Sequence, residues 1–130
     1  MLAQIDPRSA VPIWEQIVNQ IKELVLKEML SPGDKVPSVR ETASLLLVNP
    51  NTVSKAYKEL ENQGIIETLR GRGTFVRENL KLTFDEERIS LLREKVRQVV
   101  IEGSYIGVKV EDINQWLLEI QAELGGKIHD

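Results

Sequence analysis

Two helix-start signals eleven residues apart, and a glycine-rich turn shortly after them, constrain this chain more than any other feature. In VPSVRETASLLLVNPNTVSKAYKELENQGIIETLRGRGTFV, residues 36 to 76, Ser38 and Glu41 have the spacing of a capping box. The serine hydroxyl accepts from the backbone N–H three residues on, and the glutamate carboxylate reaches back. Asn49 is a second N-cap, followed by Pro50 at the first helical position, where a missing N–H costs nothing and φ is already set. The spacing predicts a helix from Ser38 to about Leu47, a tight turn, and a second helix from Pro50 to about Gln63, stopped by Gly64. Short strands are expected at 65–68 and 74–76, joined by Leu69-Arg70-Gly71-Arg72-Gly73. That order of elements is the outline of a winged helix-turn-helix.

On the second helix, helical spacing gathers Val53, Ala56, Tyr57 and Leu60 on one face and Asn51, Ser54, Lys55, Lys58 and Asn62 on the other. Asn pairs bidentately with adenine, Ser bonds several base edges, and Lys reaches guanine or phosphate. A solvated helix face carries the same residue types, so the helix alone does not decide. The hairpin tip adds two guanidiniums beside glycines that supply positive φ, suited to a phosphate or a minor groove.

Taken in order, PGDKVPSVRETASLL, NPNTVSKAYKELENQG and GRGTFV resemble the DNA-binding domain of the GntR family of bacterial transcription regulators, over residues 10 to 77. The short chain and VPIWEQI resemble its YtrA-type branch, whose members carry a small two-helix tail and look mostly like repressors of transporter operons. The resemblance implies that Arg40, in the P-S-x-R-E motif, touches DNA from the helix before the recognition helix. It also implies that Gly71, with Arg70 beside it, lies in the minor groove. Many members place arginines where this chain has Pro50 and Ser54, giving Asn51 and Lys55 a larger share of recognition, and most have Glu where Val39 stands. The expected DNA-facing set is therefore Ser38, Arg40, Asn51, Thr52, Ser54, Lys55, Lys58, Arg70, Gly71 and Arg72. Asn51, Ser54 and Lys55 are expected at base edges, with Thr52 and Lys58 near phosphate.

Charge supports this division. The net charge is −3 overall, but residues 1 to 77 hold ten Lys and Arg against nine Asp and Glu, whereas residues 78 to 130 hold seven against eleven. Within 35 to 77 the balance is seven to four, so positive charge sits on the winged motif. With 130 residues, 42% of them hydrophobic, the chain suits a small soluble protein of two units: a winged helix-turn-helix at 1–77 and a two-helix dimerisation tail at 78–130. The fold class is mainly α with a small β-wing.

In the first unit, Trp14, Ile17, Val18, Ile21, Leu24 and Val25 recur at helical spacing within residues 12 to 30, with Glu15, Gln16, Asn19, Lys22 and Glu23 as the solvated side. Trp14 reads as a packing or interface residue. In the tail, Thr83 and Glu86 make a further capping-box pair, opening a helix expected to stop at Gly103. Ile89, Leu92, Val96, Val99 and Val100 line one side of it. A last helix from about Val110 to Leu124 aligns Ile113, Trp116, Leu117, Ile120 and Leu124. Two helices cannot enclose two apolar stripes, and about 50 residues fall below the size of a self-sufficient core. These ten residues are expected to form a homodimer interface that seats two recognition helices on a pseudo-palindromic double-stranded DNA operator. Packing of the tail onto its own winged unit is the competing arrangement.

No apolar run reaches membrane-spanning length, no secretory leader is legible at the start, and cysteine is absent, so a cytoplasmic, disulfide-free protein is expected. An enzyme is not: His129 is the only histidine, and no catalytic or metal-binding constellation and no cofactor motif is visible. An unidentified small-molecule effector could bind between the tail helices, or between tail and winged unit, near Trp116 or Tyr105. The expected function is a homodimeric repressor; the alternatives are an activator or a winged-helix module that binds protein.

Overall fold

The computed structural model describes residue 2, residues 4–79 and residues 85–125, and the chain divides into two compact units, residues 1–80 and 81–130. The Thr83 cap, Gly126 and His129 lie outside the described residues.

The first unit contains α1 (Ile13–Leu26), β1 (Lys35–Val36), α2 (Val39–Leu46), α3 (Pro50–Asn62), β2 (Ile66–Leu69) and β3 (Gly73–Val76). Both caps form. The Ser38 hydroxyl accepts from Glu41 N–H at 3.1 Å, and the Glu41 carboxylate accepts from Ser38 N–H at 3.2 Å. The Asn49 side chain accepts from Asn51 N–H at 2.7 Å, with Pro50 opening α3. Gly64 closes that end with φ +75°, and Ile65 N–H returns to the Leu60 carbonyl.

α1 and α2 both pack on α3, and α3 also meets β2. Ile17, Ile21, Val53, Ala56 and Leu60 are fully buried at that junction. α1 ends at Leu26, just past Val25, the last position of its apolar spacing, and ahead of the Ser31-Pro32-Gly33-Asp34 turn signal. At Glu28 the backbone turns left-handed, φ +60°, and the N–H groups of Met29 and Leu30 both bond the Leu24 carbonyl. The turn folds Leu30 back into the core instead of continuing the helix. Gln16 is not simply solvated either. Its amide accepts from Asp6 N–H and donates to the carbonyls of Asp6 and Val11, at 2.8 to 3.0 Å, tying the N-terminal lead to α1.

The expected two-stranded wing is a three-stranded antiparallel sheet in the order β1-β3-β2. Lys35 pairs with Phe75 and Val36 with Thr74, while Ile66 to Leu69 pair with Val76 to Gly73. Val36, Ile66 and Val76 alternate inward and complete the core.

The turn between α2 and α3 carries a local conflict. Leu47 takes the left-handed conformation, φ 56°, yet is 88% exposed, so it meets the steric cost of that region without burying its side chain. Leu47→Gly is expected to stabilise the winged unit by roughly 1 kcal/mol, the relief of Cβ strain outweighing the added freedom of the unfolded chain. Urea unfolding measures this; an unchanged or lower midpoint contradicts it.

The second unit holds α4 (Glu86–Tyr105) and α5 (Val110–Glu123). Among the described residues Asp85 caps α4, its carboxylate accepting from Arg88 N–H at 3.2 Å. The helix runs through Gly103 rather than stopping there. Gly103 is buried, and a Cβ on it would lie 3.3 Å from Val108 Cβ, so this glycine serves close approach of the connecting turn. Positive φ is supplied at Gly107 instead, φ +81°. Beyond that turn α4 and α5 do not pack along their lengths. Ile89, Leu92, Val96, Val99, Val100, Trp116, Leu117 and Ile120 are exposed, and Leu124 is half-buried. Ile113, in the first turn of α5, differs: it is buried, at 8% exposure.

Candidate nucleic-acid interface

The residues expected to meet DNA come from three places in the first unit. At the start of α2, Ser38 and Arg40 are exposed. The Ser38 oxygen is engaged as a cap, which leaves its O–H as a donor.

On α3, Asn51, Ser54, Lys55 and Lys58 are exposed and Thr52 is half-buried, while Val53, Ala56, Tyr57 and Leu60 are buried on the other face. Periodicity therefore assigns the faces of α3 correctly. What fixes α3 against α2 is a buried polar link. The Tyr57 hydroxyl donates to the Pro37 carbonyl at 2.6 Å and lies 2.7 Å from the Thr42 hydroxyl. With the phenolic hydrogen given to Pro37, Thr42 is the donor in the second bond. Burial pushes the Tyr57 phenol above its usual value of 10.0; the Thr42 hydrogen bond opposes the shift and Glu41 adds to it.

At the wing, Arg70, Gly71 and Arg72 are exposed. Arg72 N–H bonds the Leu69 carbonyl at 2.9 Å, closing a turn that needs φ +78° at Gly71. Nothing lies within 4 Å of a Cβ placed on Gly71, so its backbone faces open space and only the backbone conformation demands glycine.

Two features of the surface lie beyond the sequence reading. Lys35 belongs to the wing: its side chain crosses Gly73, with Cε 3.0 Å and Nζ 3.6 Å from a Cβ built there. It adds a third cation at the wing base, and a two-residue strand has no periodicity to announce it. The second is Lys55, whose ammonium lies 4.8 Å from the centre of the Trp14 ring, a cation–π contact from α3 to α1.

Helix, turn, helix and three-stranded hairpin sheet, with a polar outer face on α3 and arginines at the hairpin tip, define a winged helix-turn-helix DNA-reading domain. Residues 13–76 match the family described as "Bacterial regulatory proteins, gntR family". The HTH-type transcriptional repressor YtrA of Bacillus subtilis (strain 168) is 55% identical over 130 residues, 99% of this chain and 100% of its own length. The chain belongs to the GntR family and is a DNA-binding transcriptional regulator, not an enzyme. Among solved structures, a transcriptional antiterminator from Listeria monocytogenes EGD-e superposes with a TM-score of 0.89 at 39% identity, covering 100% of this chain and 98% of the other. The DNA-binding domain of AraR in complex with operator ORX1 superposes with a TM-score of 0.53 at 28% identity, covering 58% and 95%. No described helix is long and apolar enough to cross a membrane.

Proposed function

We propose that this regulator is a homodimeric repressor that reads a pseudo-palindromic operator, the tails of two copies forming the interface. The observation that carries this reading is the exposure of the α4 and α5 stripes in a unit whose helices do not cover each other. The stripe residues are already about half covered in the single chain, so burying each gains roughly half of the ~1.5–3 kcal/mol of a fully exposed side chain, and the whole set together offsets the cost of association. A two-fold axis through a four-helix cluster is the simplest closed arrangement.

Asn51 and Ser54 then meet base edges, Thr52 and Lys58 lie near phosphate, and Arg40 reaches DNA from α2. Arg70, Gly71 and Arg72 hold the neighbouring groove, with Lys35 behind them. A dimer seated on a promoter blocks polymerase by occupancy, in keeping with the repressor activity named for the Bacillus relative. Tyr105 and Trp116, both exposed in the single chain, are the aromatic groups an effector site at the tail would use.

Nuclease footprinting across the protein's own promoter region tests this reading. The expected result is a protected palindrome with half-sites about one helical turn, roughly 34 Å, or a multiple of it apart. Protection of a single half-site, or none, refutes it. Asn51→Ala should relax base preference at one position by about 1–3 kcal/mol, whereas Arg72→Ala weakens operator and random duplex alike and flattens the salt dependence. Equal losses on both duplexes for Asn51→Ala would remove Asn51 from the base-reading set.

A further inference from the structure

The geometry points to Trp14 as a positioning residue for DNA binding: its indole face holds Lys55 at the flank of α3, where the ammonium is directed at phosphate rather than at a base edge. This rests on the DNA-binding reading above and moves Lys55 out of the base-edge set expected from the sequence. Around α3, Lys55 lies about 40° from Asn51, toward the side of Ala56. The buried Ala56 marks the inward side of the helix, and α1 packs against α3. The Trp14 ring draws Lys55 toward α1, away from the middle of the outer face. A helix in the major groove has base edges beneath that middle and sugar-phosphate walls along its flanks.

Trp14 is suited to the task. It is half-buried and packed against the core, so its ring is a fixed platform. The negative face of the ring attracts the ammonium from one side and leaves at least two of its three N–H donors for a phosphate oxygen. Glu59, one turn along from Lys55, accepts instead from the Gln63 amide at 2.9 Å. Lys55 is thereby held before DNA arrives, and the ordering of a long flexible side chain does not have to be met on binding. Such an interaction raises affinity for every duplex and carries no sequence information.

The test is fluorescence anisotropy of a labelled random-sequence duplex, titrated with the full chain over a series of salt concentrations. Trp14→Leu keeps apolar bulk and loses the ring face; Trp14→Phe keeps a weaker face. The expected result is a loss of about two- to five-fold per engaged winged unit for Trp14→Leu and for Lys55→Gln. Each also gives a shallower salt slope, by up to about 0.9 for each phosphate no longer neutralised. Trp14→Phe stays closer to the parent, and the double variant binds no worse than Lys55→Gln alone. Additive losses in the double variant, a parental salt slope for Lys55→Gln, or parental affinity for Trp14→Leu overturns the assignment. If Trp14→Leu fails to fold, the Lys55→Gln slope tests the phosphate contact and Trp14→Phe tests the ring: near-parental affinity and salt slope for Trp14→Phe, with Lys55→Gln losses no larger in its presence, uphold the coupling, and additive losses overturn it. Failure of the parent chain to bind duplex at low salt would instead sink the DNA-binding reading itself, a distinguishable outcome.

Discussion

Val96→Asp is expected to leave the protein monomeric and to lower its operator affinity by at least about 100-fold, while each chain stays folded. Val96 stands in the α4 stripe with Ile89, Leu92, Val99 and Val100, and is 49% exposed in the single chain. The substitution therefore removes little from the tail of one copy. Across the proposed two-fold interface it brings two carboxylates into an apolar layer, where each unpaired buried charge costs several kcal/mol. The DNA consequence follows from linkage. A second reading head joined to the first sees its half-site at an effective concentration near millimolar, and losing the joint forfeits a gain of about 10²–10⁴. Sedimentation velocity and operator binding on the same sample measure both halves. A dimer with parental affinity would show that the α4 stripe is not the interface.

Tyr57→Phe is expected to lower the stability of the winged unit by about 1–3 kcal/mol, which in a unit of this size is roughly 4–8 °C in Tm for each kcal/mol. The deleted hydroxyl bonds both Thr42 and Pro37. Thr42 is fully buried, so removing its partner strands a polar group with no route to water. Pairing Tyr57→Phe with Thr42→Val removes donor and acceptor together and should recover part of the loss; a double variant as unstable as the sum of the singles refutes the link. A pH signature accompanies it. Burial raises the folded-state phenol above 10.0, so the unfolded chain loses this proton first as pH rises. The contribution is fully present below pH 10 and declines above it, and Tyr57→Phe removes that decline. Calorimetry of both proteins between neutral pH and the alkaline limit of the fold measures the difference.

Much of the candidate interface is legible in the chain because its determinants are local. A capping box spans four residues, and an Asn-Pro helix start spans two, so α2 and α3 and the faces of α3 follow from short-range chemistry. Gly71 is legible for the same reason: its turn needs positive φ whatever surrounds it. Gly103 misleads because glycine has two uses. Its position predicts the end of α4 by conformation, but here it admits the Val108 side chain, and only the packed turn distinguishes the two. Ile113 shares the helical spacing of Trp116 and Ile120, yet it is buried where they are exposed, a difference that periodicity along one helix does not encode.

The order of residues thus dictates the reading helix, its caps, its polar and apolar faces, the arginine-bearing tip and the two apolar tail stripes. All of these depend on residues within a few turns of one another. Packing in three dimensions supplies the rest: the third strand, where Lys35 finds Phe75 forty positions away, the Thr42–Tyr57–Pro37 link that sets α3 against α2, and the stacking of Lys55 on Trp14. Each of those pairings joins residues at least 15 positions apart, so its energy belongs to the packed arrangement and leaves no periodic or local trace in the chain.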